Sequence, residues 1–466
     1  MNKKSFTRLM SCLVVVALFC YGLYKLSACV ERKASNVKYT SFYEQKESFD
    51  VLFMGTSHMI NAVFPMELWK EYGIVSYNFG GHGNKVATSY WQLVNALDYV
   101  KPKLIVFDCF KIAEPDKVSS LKSQCHLSLD SIPLSINKAR AVLDLFQNYS
   151  DLIEYIFKFS VYHHRWNEIA KGDICMSVNF EKGAETRIGV ATPNPIVSAP
   201  KTEMQEEEEE SDGIHYLKKV VDVCKAKKIS LLLIYVPFPA RRWRLQESHK
   251  MIAFAKEYGV KSLGWEELQK YVDFDTDCYD SDSHLNSSGA RKITRFLGQY
   301  IRQHYNMPDH RIDSSYASWH KDYQQYTQFK IRMIKDQKSL KNALMLLSDR
   351  NFSYAVYFPN ERCYQNKIIM KLLRNTGADV EKIYFSSPNL IVVDNKKEKV
   401  SYRRVNETTT TAFGKVSLNN SKDGRTLKVN GHKILEIKNN ENLEAAVIVF
   451  ENESGRLVVA AKYQEL

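Results

Sequence analysis

Short apolar runs alternate along this chain with longer stretches whose apolar positions recur at helical spacing. Runs near 50–54, 74–79 and 103–108, and ISLLLIYVPF (229–238), read as strands. The first, third and fourth are almost continuously apolar, which is expected of a parallel sheet covered on both faces. VATSYWQLVNALDYV (86–100) and GIHYLKKVVDVCKAKK (213–228) lie between them and carry helical patterns. The alternation predicts an α/β fold, a doubly wound α/β/α sandwich. Functional groups in such a sheet gather at the carboxyl ends of its strands.

The pattern breaks in three places. Residues 118–212 interrupt the alternation as an insertion: helical around 136–159 and 161–173, then polar and ending in Glu206–Glu210. From about 328 the character changes again. FKIRMIKDQKSLKNALMLLSDRNFSYAVYF (329–358) reads as strand, helix, strand, QNKIIMKLLRNTG (365–377) as a helix and NLIVVDNKK (389–397) as a strand. Strands and turns alternate over 426–463. At the other end, Lys3, Lys4 and Arg8 precede LMSCLVVVALFCYGLY (9–24), a basic and then apolar export pattern. If Lys25 snorkels, the apolar segment runs on to Val30 and serves as a single-pass anchor. Leu26-Ser27-Ala28-Cys29 also fits a bacterial lipobox, which would lipidate Cys29. Residues 36–48 are polar and read as a short stalk. The expected organisation is an anchor or signal (1–35), a main domain with its insertion (36–325) and a smaller mixed α/β module (326–466).

Composition narrows the function classes. The 466 residues are 44% hydrophobic and 12% aromatic, enough for two cores. The net charge of +12 is spread along the chain, compatible with an anionic envelope polymer or membrane surface. An exported chain has no access to nucleic acid. Nine cysteines show no C-x-x-C spacing and so no metal signal; those in apolar runs read as buried thiols, and no cofactor is implied.

Chemistry concentrates at two motifs. VLFMGTSHMIN (51–61) ends an apolar strand in Gly55-Thr56-Ser57-His58, which leaves the Ser57 hydroxyl at the sheet edge. YDSDSHLNSSG (279–289) offers His284 as the base that a hydroxyl nucleophile needs, with Asp282 to orient it. Asp280 competes for the orienting role. Each motif alone is ordinary turn chemistry; their order around the predicted sheet gives them weight. His58 reads as a structural helix-start residue.

GTSH after a strand and D-S-H-L-N-x-x-G before the last helix resemble the first and last blocks of the SGNH (GDSL-like) hydrolases. VSYNFGGHGNKVATSYWQL (75–93) resembles the second block, in which Gly80, beside Gly81, would donate its N–H to an oxyanion. The family's third-block asparagine has no counterpart between KPKLIVFDCF (101–110) and Lys117; Asn84 or Asp108 would take its place. The resemblance covers roughly 48–305 and implies a flavodoxin-like parallel sheet and a catalytic Ser57, Asp282 and His284. The C-terminal layout resembles the interleukin-like EMT-inducer domain, for which a docking or structural role is open.

Among similar proteins are alginate acetyltransferases and the teichoic-acid D-alanylation protein. The resemblance therefore implies a tethered, extracytoplasmic acyltransferase acting on a bacterial cell-surface polysaccharide, with O-acetyl transfer expected. A membrane-bound O-acyltransferase is the expected partner. A carbohydrate esterase and a non-catalytic glycan-binding protein are the alternatives. In the insertion, Tyr162, His163, Arg165 and Trp166 combine stacking with charge, which suits either an acceptor sugar or anchoring of the insertion.

Overall fold

The computed structural model describes residues 3–31, 33–45, 48–146, 148–169, 179–191, 211–239, 242–281 and 284–465. Five strands, β1 (Val51–Met54), β2 (Ser76–Asn78), β3 (Leu104–Asp108), β4 (Ser230–Ile234) and β5 (Lys261–Leu263), form a parallel sheet in the order β2-β1-β3-β4-β5. Successive strand residues face opposite sides, and both sides are buried. Leu52, Met54, Ile105 and Phe107 join one core, while Val51, Phe53, Leu104 and Val106 join another. That double burial explains the unbroken apolar runs, and the order reverses at β1 and β3, the switch point where crevices open.

The N-terminal helix α1 (Lys3–Val30) contains a 23-residue segment, Ser5–Ser27, long and apolar enough to cross a membrane. It reaches beyond the 16-residue apolar run, and its side chains are exposed along nearly all of its length, Ser27 at its end being buried. The expected stalk is corrected. Residues 33–44 form helix α2 (Lys33–Glu44), whose Tyr39 and Phe42 are buried in the main core beside Phe49, Tyr77 and Phe79. Tyr39 and Phe42 lie three apart on one helical face, a pairing masked by the polar residues around it.

Helices α3 (Ser57–Ala62), α4 (Pro65–Tyr72) and α5 (Val86–Ala96) follow their strands. The insertion contributes α6 (Lys122–Leu129), α7 (Ile136–Leu145), α8 (Tyr149–Ile156), α9 (Phe159–Tyr162) and a 3₁₀ turn, His163–Asn167. Glu206–Glu210 lie outside the described residues. Further on, the helix Ser287–His304 covers the second face through Ile293, Leu297 and Ile301.

The strand expected at the start of 329–358 is the end of a long helix, Ala317–Lys335, which buries Trp319, Tyr326 and Ile334. Helical spacing of those large residues outweighs the local β-branched character. Beyond it, β6 (Phe352–Tyr357), β7 (Leu390–Asp394), β8 (Lys399–Arg403), β13 (Ala445–Glu451) and β14 (Leu457–Tyr463) make an antiparallel sheet ordered β14-β13-β6-β7-β8. A second antiparallel sheet, β12-β11-β10-β9, joins β9 (Thr408–Thr411), β10 (Gly414–Ser421), β11 (Gly424–Val429) and β12 (His432–Lys438). Helices pack on one face of the first sheet, and the second sheet packs on the other.

Candidate active site

The site begins where β1 ends. Gly55 has φ +140°, and a Cβ there would lie 2.7 Å from the Asp108 Cβ, so only glycine passes between β1 and β3. Thr56 is the N-cap of α3: its Oγ1 accepts from the His58 N–H at 3.2 Å. The same hydroxyl donates to Asp108 Oδ2 at 3.3 Å, while Asp108 Oδ1 accepts from the Val236 N–H. Asp108 thus grips the turn from below, as an acceptor rather than a replacement oxyanion donor. Burial pushes its carboxyl up to about 7, against the lowering effect of N–H bonds from Val236 and Phe110. Ser57 follows as the first residue of α3, partly open to solvent.

The imidazole beside Ser57 arrives from 227 residues away. His284 Nε2 lies 2.9 Å from Ser57 Oγ, and Nδ1 lies 2.6 Å from Asp280 Oδ2. Asp282, the orienter expected from the sequence, lies outside the described residues. The carboxylate on Nδ1 is Asp280, and the reason is local. Its Oδ1 accepts the His284 backbone N–H at 2.8 Å while Oδ2 holds the ring, so one side chain fixes both ends of the histidine. The loop is closed by the Tyr279 N–H to His284 carbonyl bond and by Asn286. Asn286 donates to the carbonyls of Thr276 and Gly189 and caps the helix Ser287–His304 through the Ser288 and Gly289 N–H groups.

The glycine turn after β2 lies against this hydroxyl's own turn. A Cβ on Gly80 would be 2.8 Å from the Thr56 carbonyl oxygen, and Gly81 donates to the Gly55 carbonyl at 2.9 Å. The Gly80 N–H itself faces Asn78 Oδ1 at 3.3 Å. Asn78 in turn donates to the carbonyls of Met59 and Val63, closing the carboxyl end of α3. From the other side, the Tyr39 hydroxyl donates to the Gly80 carbonyl at 2.9 Å.

Two expected sites move. Asn84 is buried, its amide donating to Gln92 Oε1 at 2.7 Å and contacting the Gly55 carbonyl at 3.4 Å, with its own Oδ1 accepting from Ser128. Those bonds use both amide hydrogens, so Asn84 braces the turn from within instead of facing an oxyanion. The trio His163, Arg165 and Trp166 gathers at the end of α1. Buried Arg165 donates to the Val30 carbonyl at 2.8 Å, His163 sits on the Phe159 and Ser160 carbonyls, and Trp166 is exposed.

Other neighbours had no clear sequence signal. His58 is buried, stacked on Phe110 at 3.9 Å and edge-on to Phe238, with its ring 5.3 Å from that of His284. Burial first, and then His284 and Arg244, hold it neutral, well below its ordinary value. The tail of the insertion runs past the site: the Glu185 N–H donates to the Ile60 carbonyl, and the Ser287 N–H to the Arg187 carbonyl. Glu185 pairs with His82 at 2.7 Å and with Arg187 at 2.8 Å. Burial alone would raise its carboxyl, but His82, Lys38 and Arg187 hold it at about 2.

A hydroxyl, an imidazole and a carboxylate in hydrogen-bonded series can move a proton off the hydroxyl as it attacks a carbonyl. No family model matches the chain, and no curated protein matches it. Among solved structures, a Bacteroides fragilis protein provisionally named an acylhydrolase is similar at TM-score 0.28 and 11% identity, over 59% of this chain and 98% of that one. At that level the likeness identifies neither a family nor an activity.

Proposed function

We propose that this chain is a membrane-tethered, extracytoplasmic serine acyltransferase of the SGNH type that moves an acetyl group onto a cell-surface polysaccharide. The observation that carries the reading is His284 bridging Ser57 Oγ and Asp280 at 2.9 and 2.6 Å. Ser57 Oγ attacks the acyl carbonyl as His284 Nε2 takes its proton. The tetrahedral oxyanion collapses, the donor's alkoxide leaves with that proton, and acyl-Ser57 remains. A glycan hydroxyl then gives its proton to His284 and attacks the ester; the acyl–Oγ bond breaks, His284 returns the proton to Ser57 Oγ, and both residues are regenerated. The N–H groups of Ser57 and Gly80 are the oxyanion donors in this scheme, each contributing about 3 kcal/mol. The Gly80 N–H would exchange its long contact with Asn78 for the oxyanion.

Asp280 keeps the His284 ring oriented and offsets the imidazolium charge. The neutral ring of His58 forms an apolar wall with Phe110 and Phe238. The 23-residue span of α1, about 34 Å at 1.5 Å per residue, supports the tether, since the hydrocarbon layer is about 30 Å. Tethering fits acyl delivery by a membrane-bound O-acyltransferase. Partial exposure of Ser57 and His284 favours the second reading, an esterase in which water replaces the glycan hydroxyl.

The test uses full-length protein in detergent with a fluorophosphonate probe and a chromogenic acetyl ester. Labelling and turnover are expected to vanish in Ser57→Ala and to fall by up to about a millionfold in His284→Ala. Acetylated and bare surface glycans then separate transfer from hydrolysis. Labelling that survives Ser57→Ala overturns the nucleophile, and absence of both labelling and turnover favours a glycan-binding role.

A further inference from the structure

Among the described residues, the insertion's helices leave an apolar face exposed near the one helix long and apolar enough to cross a membrane. On α8, Tyr149, Ile153 and Ile156 stand at i, i+4 and i+7, one stripe of a helix, and are 82%, 59% and 36% exposed. Phe157, at the helix end, is exposed as well. The flank of α8 beside this stripe is committed: Tyr155 is buried, stacked between Phe146 and His126, and Leu152 packs on the main core. Tyr149, Ile153 and Ile156 themselves join none of the hydrophobic cores among the described residues.

Its position relative to α1 identifies the occupant. Helix α9 and the turn His163–Asn167 pack directly on the end of α1. Arg165 Nη1 donates to the Val30 carbonyl at 2.8 Å, and Lys158 Nζ meets Glu31 at 2.6 Å. The membrane-crossing window ends at Ser27, so Val30 and Glu31 lie within four residues of it, about 6 Å along the helix. The headgroup layer on each side of a bilayer is roughly 5–8 Å thick. Whatever packs on Val30 and Glu31 is therefore at headgroup depth. Trp166 there is 72% exposed, and indole rings favour that depth.

We propose that α8, α9 and the turn carrying Trp166 form a bilayer-seating face, with the Tyr149–Ile153–Ile156 stripe, Phe157 and Trp166 immersed in the interface of the leaflet that α1 exits. The inference rests on the reading of α1 as a retained anchor. It adds that the folded part is held against the lipid surface by a second contact and does not hang from α1 alone. The Arg165 and Lys158 contacts make the junction rigid, so the seating fixes how Ser57 is oriented to the membrane from which a lipid-side donor would arrive.

The test is single-site fluorescence in the full chain, reconstituted in phosphatidylcholine vesicles with brominated acyl chains as quencher. Cys12, Cys20, Cys29 and Cys175 are replaced by Ala, and an environment-sensitive probe is placed singly at I153C, I156C, W166C, V16C or F385C. Probes at 153, 156 and 166 are expected to shift to the blue and to be quenched, less deeply than the probe at 16. The probe at Phe385, an exposed aromatic in the C-terminal part, is expected to stay aqueous. Quenching at 16 with aqueous emission at 153, 156 and 166 overturns the seating face while leaving the anchor intact. An aqueous probe at 16 overturns the anchor itself, and quenching at 385 equal to that at 153 overturns α8 as the specific seat.

Discussion

Asp108 shows what one buried carboxyl does at the residue scale. Its folded-state value of about 7 lies above the ordinary 3.8, so the native state binds the extra proton. Its contribution to stability is complete below about pH 4 and is lost as pH rises toward 7. A gap of about three pH units, at about 1.4 kcal/mol each, bounds the loss near 4 kcal/mol. Asp108→Asn is expected to flatten the fall of stability between about pH 4 and 7, measured as chemical-denaturation midpoints across that range; an unchanged slope would assign it to other groups. The orienting carboxylate is a second single-residue question. Asp280→Asn is expected to cost about a thousandfold or more in ester turnover, by analogy with triad aspartates. Full activity in Asp280→Asn with loss in Asp282→Asn would return that role to Asp282. The sequence offered both carboxylates, and family spacing pointed to Asp282. What spacing did not contain was the loop closure in which Asp280 accepts both the backbone N–H and the ring of His284.

Helix α2 carries the main lesson at the scale of elements. Residues 36–48 look polar one by one, yet Tyr39 and Phe42 bury fully and the Tyr39 hydroxyl reaches the Gly80 carbonyl. Tyr39→Phe keeps the packing and removes that bond. Stability is expected to fall by about 1 kcal/mol, with a larger proportional loss in the rate of fluorophosphonate labelling because the Gly80 turn loosens. Equal labelling rates in the two proteins would make the bond purely structural. Strands β1, β3 and β4 were readable because burial on both faces leaves them almost wholly apolar, whereas β5, Lys261–Leu263, opens on a lysine and a serine and gives no such run. The long helix Ala317–Lys335 was not, because its last turns, FKIRMI, carry β-branched residues that read locally as a strand. Tertiary contacts of Trp319 and Tyr326 decide its form.

Across the whole molecule, the main and C-terminal parts meet around a buried cation. Lys330 Nζ lies 3.0 Å from Glu67 and 2.8 Å from Asp349, with Tyr326 packed over it at 4.7 Å. Burial would discharge the ammonium, but Asp349 and Glu67 outweigh it and hold the proton more tightly than usual. Removing the cation strands two carboxylates: Lys330→Met is expected to destabilise the protein by about 3–5 kcal/mol in denaturant unfolding. A change below about 1 kcal/mol would mean that water reaches the cluster. None of this was legible in the sequence, since the three residues lie on separate elements and each alone is an ordinary charge. The motifs around Ser57 and His284 were legible because each is local; their meeting needed the fold.

The Tyr39–Gly80 bond also bears on what a proteolytic cut just beyond α1 would release. A cut before Lys33 would release a particle with α2 still docked and the Gly80 turn supported. A cut after Glu44 would carry away two core aromatics and the hydroxyl that holds Gly80. The same loss of α1 would thus leave the Gly80 turn braced in one case and unsupported in the other, separated by a dozen residues of chain.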